Sequence, residues 1–143
     1  MVDFAHLLSK RLDDVEKPKP WPAGTYFGRV NAYKVDESRE KKTPFIRMEV
    51  GIEGPSDDIP AEDVAGIDFG KRKFNKDFFL TPDADWRLKE FITSCGIPTQ
   101  GRNFNETLPE TIGQPVIVQM VQTPSRDGTD IYNNIGDMKG NPG

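Results

Sequence analysis

Cysteine, histidine and long apolar runs are what this 143-residue chain has least of. The single cysteine, Cys95, can form neither an intramolecular disulfide nor a thiolate zinc cluster, so a reducing cytoplasm is the expected compartment. The single histidine, His6, falls in a predicted helical extension, where Ser-His-Asp catalysis and multi-histidine metal sites are hard to assemble. No stretch approaches the ~18–20 apolar residues needed to span a bilayer, so no membrane partner is expected. Asp3, His6, Ser9, Lys10 and Arg11 interrupt the first twelve residues, so no secretory leader is expected either. Basic residues are also outnumbered, 19 against 23 acidic ones, and the net charge of −4 taken as a total argues against a polyanionic partner.

Glycine and proline, in contrast, are abundant. Their 13 and 12 residues are about one in six of the chain, against ordinary usage of ~12%. Short strands joined by many turns are favoured over a long helical bundle. Residues 3–16 read as a short amphipathic helix with Phe4, Leu8, Leu12 and Val15 on one stripe. Lys17-Pro-Lys-Pro-Trp-Pro22 then enforces an extended connector. The expected organisation is a helical arm and Pro-rich connector over 1–22, one domain over 23–138 and a flexible tail over 139–143, with fraying already from Gly136.

Within the domain, Thr25–Val35 alternates with period two: Tyr26, Gly28, Val30 and Ala32 against Phe27, Arg29, Asn31 and Tyr33. The first set is expected inside and the second outside, with Gly28 marking a bend or bulge. Phe45–Ile52 alternates in the same way, with Ile46, Met48, Val50 and Ile52 on one face and Phe45, Arg47 and Glu49 on the other. An exposed acidic loop follows over 53–68, with a helical turn near Ala61–Val64. Strand 3 is expected from about Lys71 to Leu80, with either Phe74 and Phe78 or Phe79 outward. Thr81-Pro82 reads as a helix start, Leu88, Phe91, Ile92 and Cys95 as its buried stripe, and Gly96 as its stop. Leu108–Gly113 has room for one helical turn. Strand 4 is expected over Pro115–Gln122 and strand 5 over Asp130–Ile135, joined by a turn with an Asp-Gly signal.

The order strand, strand, strand, helix, strand, strand predicts a mainly β fold. Specifically, it is that of a five-stranded OB-fold Greek-key barrel with one α-helix between strands 3 and 4, behind a short helical N-terminal arm. Four segments add a resemblance: Pro22–Val30, Thr43–Gly54, Leu88–Gly96 and Ile112–Val118. Their "AGxY" opening, Arg- and Glu-bearing second strand and "LKxF" helix, in this order, resemble bacteriophage-encoded single-stranded DNA-binding proteins. The resemblance covers about residues 22–137. It implies a chain that coats single-stranded DNA in phage replication or recombination, in the host cytoplasm, alongside replication or recombination proteins.

Charge placement agrees with that expectation better than the total does. Residues 53–68 hold six acids (Glu53, Asp57, Asp58, Glu62, Asp63 and Asp68) and no base; without them 17 acids face 19 bases. Lys41 and Lys42 sit in the strand 1–2 connection, and Lys71, Arg72, Lys73 and Lys76 in strand 3. Single-strand binding needs cations along the phosphates and aromatic faces under the bases. The candidate stacking residues are Tyr33, Phe45, Phe74 and Tyr132. The candidate phosphate contacts are Lys41, Lys42, Arg47, Lys71, Arg72, Lys73 and Lys76, and Arg126 in the strand 4–5 loop is placed to close the groove. Trp21 and Trp86 read as packing residues. No catalytic residue, cofactor or metal ligand is assigned. An OB-type protein–protein interaction module of a phage complex is the alternative. A third reading has Asp57, Asp58, Glu62 and Asp63 holding Mg²⁺, although unpatterned acids are ordinarily a solvated loop. The arm leaves docking in cis and exchange between subunits, in a homodimer or higher oligomer, both open.

Overall fold

The strand pattern reappears in the computed structural model, which describes residues 5, 8, 9, 11, 12 and 20–142. Most of the expected arm helix over 3–16, with His6, and residues 17–19 of the connector lie outside the described residues. Five strands, β1 (Gly24–Glu37), β2 (Pro44–Pro55), β3 (Lys73–Phe79), β4 (Pro115–Pro124) and β5 (Ile131–Gly140), form one sheet in the order β3-β2-β1-β4-β5. Every neighbouring pair is antiparallel. The connections between β3 and β4 hold two helices rather than one, α1 (Trp86–Ser94) and α2 (Phe104–Thr111). No helix among the described residues is long and apolar enough to cross a membrane.

β1 is central and bends twice. Tyr26, Gly28 and Val30 are buried, while Phe27, Arg29 and Asn31 are exposed, as the period-two pattern predicts. A Cβ on Gly28 would lie 2.7 Å from the Gly51 carbonyl, so this crossing admits only glycine. Between Val30 and Ala32 the register with β2 shifts: Val30 faces Val50, Ala32 faces Glu49, and Asn31 is the extra residue. One inserted residue moves every following side chain to the other face. Tyr33 therefore pairs with Met48 and is half-buried against the core, not outward as strict alternation requires. Ile46, Met48, Val50 and Ile52 of β2 form the expected inner row, each contributing ~1.5–3 kcal/mol by burial.

The acidic segment is anchored rather than loose. Ile59 is buried in the core, and both Asp58 carboxylate oxygens accept from the Thr25 amide, at 3.1 and 3.3 Å. A 3-10 turn does occupy Ala61–Val64. Lys71, expected to open strand 3, instead ends a second 3-10 turn, Phe69–Lys71, in which Asp68 accepts from the Gly70 amide. In β3, Phe74 and Phe78 point inward and Phe79 outward, which settles the alternative left open by the sequence.

α1 starts later than Thr81-Pro82 implies. The Thr81 carbonyl accepts from Ala84 and Asp85, making an isolated turn before the helix proper. Leu88, Phe91, Ile92 and Cys95 are its buried stripe as expected, and burial pushes the Cys95 thiol up to about 11. α2 is a full helix where one turn was expected. Asn103 caps it by accepting from the Glu106 amide at 3.0 Å, an Asn-x-x-Glu start signal that the sequence already carries. β5 runs to Gly140, so the stretch expected to fray is instead paired with β4, with Met138 buried; Lys139 and Gly140, assigned to a flexible tail, end this strand.

Trp21 packs as expected. Its ring lies 5.1 Å from Phe74 and 5.3 Å from Phe69, and its backbone exchanges hydrogen bonds with the Asn133 side chain at 2.8 and 2.9 Å. The sheet curls until its two edge strands approach: Lys76 Nζ donates to the Gly136 carbonyl at 3.2 Å. No backbone ladder joins β3 to β5 among the described residues, so the barrel-like sheet is not closed.

Candidate nucleic-acid interface

The outer face of β1, β2 and β3 is where alternation directs Arg47 and Phe45, and the register sets what each side chain meets. Arg47 lies directly opposite Asp77 of β3. Its Nε donates to Oδ1 at 2.8 Å and its Nη2 to Oδ2 at 2.9 Å, a bidentate clasp that raises the Arg47 pKa further. Arg47 is thus engaged within the sheet rather than presented to a phosphate. Phe45 is on the outer face as expected but is buried, covered by Phe79 with ring centroids 5.7 Å apart and by the Arg47 guanidinium 5.1 Å from its ring. The accessible ring at this end is Phe79.

The remaining charges of this face are also matched. Arg29 pairs with Glu53, Lys34 with Asp36 and Lys73 with Glu49, each at 3.8 Å. Such exposed pairs contribute only ~0–1 kcal/mol. Their consequence is electrostatic: four cations and four carboxylates leave the centre of the face neutral.

Cations without an ion-pair partner among the described residues lie at the ends. Lys41 and Lys42 are exposed in the β1–β2 turn, whose shape is held by Ser38–Thr43 hydrogen bonds. Lys71 and Arg72 are exposed at the start of β3. Phe45 pairs with Phe79 and Gly51 with Lys73, so these two groups are six residues apart along β2, or ~20 Å. Arg72 lies over the Phe74 ring at 4.6 Å and Trp21 at 6.0 Å. Arg126 is exposed in the β4–β5 loop, and Tyr132, beyond that loop on β5, is 54% exposed.

Three candidates change place. Phe74 is buried in the core beneath Trp21 and Arg72, so it offers no stacking surface. Lys76 occupies the inner phase of β3 and reaches the β3–β5 seam. Tyr33, turned inward by the Asn31 bulge, is likewise no outer platform. The structure thus leaves Lys41, Lys42, Lys71, Arg72, Arg126 and Tyr132 exposed in turns and at strand ends, and does not bring the full predicted set onto one face. Among the described residues no group of three or more metal-ligating side chains converges, Asp57, Asp58, Glu62 and Asp63 included.

Trp86, expected to pack, is instead at the surface. It is 49% exposed, with Nε1 donating to the Asp83 carbonyl and the Arg87 guanidinium 5.3 Å from its ring. A signal was present: Trp86 is two residues before Leu88, so at 100° per residue it stands about 200° from the start of the buried stripe. A scan against protein-family models and a search of curated proteins return no match to this chain.

Proposed function

We propose that this chain is a sequence-independent single-stranded DNA-binding protein that acts in phage DNA replication or recombination through an OB-fold. One observation carries the reading. A β1-β2-β3 meander, β4 and β5 on the other side of β1, and helices between β3 and β4 are the connectivity expected of the five-stranded Greek-key barrel. That barrel binds oligonucleotides with its strand 2–3 face and the loops after strands 1 and 4. Lys41 and Lys42, without an ion pair among the described residues, lie on the first of those loops and Arg126 on the second, with Lys71 and Arg72 beside the face. The sequence resemblance to phage single-stranded DNA-binding proteins points the same way.

Titrating labelled oligo-dT against salt tests this. Each phosphate contact on a single strand adds ~0.7 to the slope of log K against log salt, so five engaged cations give a slope of about −3 to −4. Replacing Lys71 and Arg72 with glutamine should reduce that slope by about 1.4. A chain that shows no binding at low salt, or binding that ignores salt, overturns the reading. The neutral centre of the outer face, with Phe27 and Phe79 exposed on it, favours one second reading, an OB-type protein–protein interaction module. Absent DNA binding together with capture of a purified phage nuclease or recombinase would select it.

A further inference from the structure

A sizeable recess lies away from the outer face, at the seam where the sheet fails to close. It is an open groove of about 840 Å³ between β3, β5 and α1, within the ~300–1,000 Å³ typical of ligand sites. Phe78, Phe91 and Met138 form its apolar floor, with Phe78 and Phe91 stacked at 5.4 Å. Trp86, Lys89, Glu90 and Thr93 present a second stripe of α1 along one wall.

Its electrostatics are the reverse of the outer face. Lys76, Arg87, Lys89 and Lys139 line the groove, against only Glu90 and Asp137. None of the four cations has an ion pair within 4 Å among the described residues, whereas all four on the outer face do, and Arg87 of the groove set interacts electrostatically with a nearby carboxylate, Asp83. Lys76 Nζ donates to a carbonyl, Gly136 O, at 3.2 Å rather than to a carboxylate. Beside these cations stands the half-exposed Trp86 indole, fixed by its bond to Asp83 and backed by Arg87. Unneutralised cations interleaved with an accessible ring are what a polyanion carrying planar bases requires. An acidic peptide would satisfy the charge but leave the indole without a stacking partner.

We propose that the β3–β5–α1 groove is a single-stranded nucleic acid subsite, in which a base stacks on Trp86 and the adjoining phosphates meet Lys76, Arg87, Lys89 and Lys139. This rests on the single-stranded DNA-binding reading and moves part of the strand's path from the outer face to the seam. β3 is the shared wall, so a strand held by Lys71 and Arg72 at its start can pass along its edge into the groove.

The two tryptophans make the subsite readable. Trp21 is buried and Trp86 exposed, so quenching of emission by oligo-dT reports Trp86. Binding is followed in parallel by anisotropy of a labelled oligo-dT, with circular dichroism to confirm that each variant is folded. Quenching is expected in the unaltered protein and lost in Trp86→Phe. Trp86→Ala should weaken binding about 5- to 150-fold, the contribution of one stacked base. A combined Arg87→Gln, Lys89→Gln, Lys139→Gln variant should lower the salt slope by about 2. Oligo-dT bound equally well, with the same slope and no quenching, by all variants would overturn the subsite while leaving the function standing. No binding by the unaltered protein would overturn both. Quenching by poly-glutamate but not by oligo-dT would assign the groove to an acidic partner and overturn the nucleic acid subsite.

Discussion

One carboxylate oxygen gathers three hydrogen bonds within the β4–β5 loop. Asp127 Oδ1 accepts from the Ser125 hydroxyl at 2.6 Å, the Thr129 amide at 3.1 Å and the Thr129 hydroxyl at 2.8 Å. These bonds, that from Ser125 foremost, hold the Asp127 carboxyl down at about 2, against ~3.9 unperturbed. A group depressed on folding adds stability that is complete above its unfolded pKa and is lost as pH falls through the folded one. The loop carrying Arg126 should therefore stay ordered above about pH 5 and loosen between about pH 4 and pH 2. Amide exchange at Thr129 measures it, and protection unchanged down to pH 2 would show that the carboxylate is not the clasp. The same scale explains why Arg47 faces outward yet is engaged within the sheet. Alternation placed it outward correctly, but its partner Asp77 is 30 residues away, and only strand pairing brings the two into register.

Elements were legible where their periodicity was strong. β1, β2, β4 and the buried stripe of α1 follow from alternation and from i, i+3, i+4 spacing. What escaped were features set by contact between elements. The Asn31 bulge shows only when β1 is paired with β2, and it reverses Tyr33. β5 past Ile135 looks too rich in glycine and charge to persist, yet it is held from outside. Gly140 donates to Ser94 Oγ at 2.7 Å, and a Cβ on it would lie 2.5 Å from the Cys95 backbone. The end of α1 thus rests directly on the strand. Gly140→Ala should force the two apart and cost about 1–3 kcal/mol, measured as a lower urea midpoint. A midpoint unchanged from the parent would mean that the helix end yields freely.

Across the whole molecule, charge is partitioned. The outer face is neutralised pair by pair, while the rim turns, and the seam with four more, carry cations that have no ion pair within 4 Å among the described residues. The acidic segment is pinned over the start of β1 by Ile59 and Asp58, so its charge is a fixed part of the surface. The chain's approach to the sheet is fixed as firmly. Trp21 fills the core between Tyr26, Phe69 and Phe74, while its backbone is bound by Asn133 and Gln122. Trp21→Ala keeps the backbone bonds but empties that space, and should lower the unfolding free energy in urea by about 3–5 kcal/mol. A loss below ~1 kcal/mol would mean that the cluster collapses to fill the void.

Local information in the chain was enough for strand identity, the inner rows of β1 and β2, the α1 stripe and the separation of an acidic segment from a basic remainder. Each depends on neighbours within a turn or two, where backbone geometry alone fixes which side chains share a face. Tertiary structure decided which cations are neutralised, that Phe74 is core and Phe79 surface, and that Trp86, Lys76 and Lys139 line one groove at an open seam. Those outcomes depend on register and on the approach of strands 60 residues apart, such as Lys76 and Gly136. No period in the sequence encodes them.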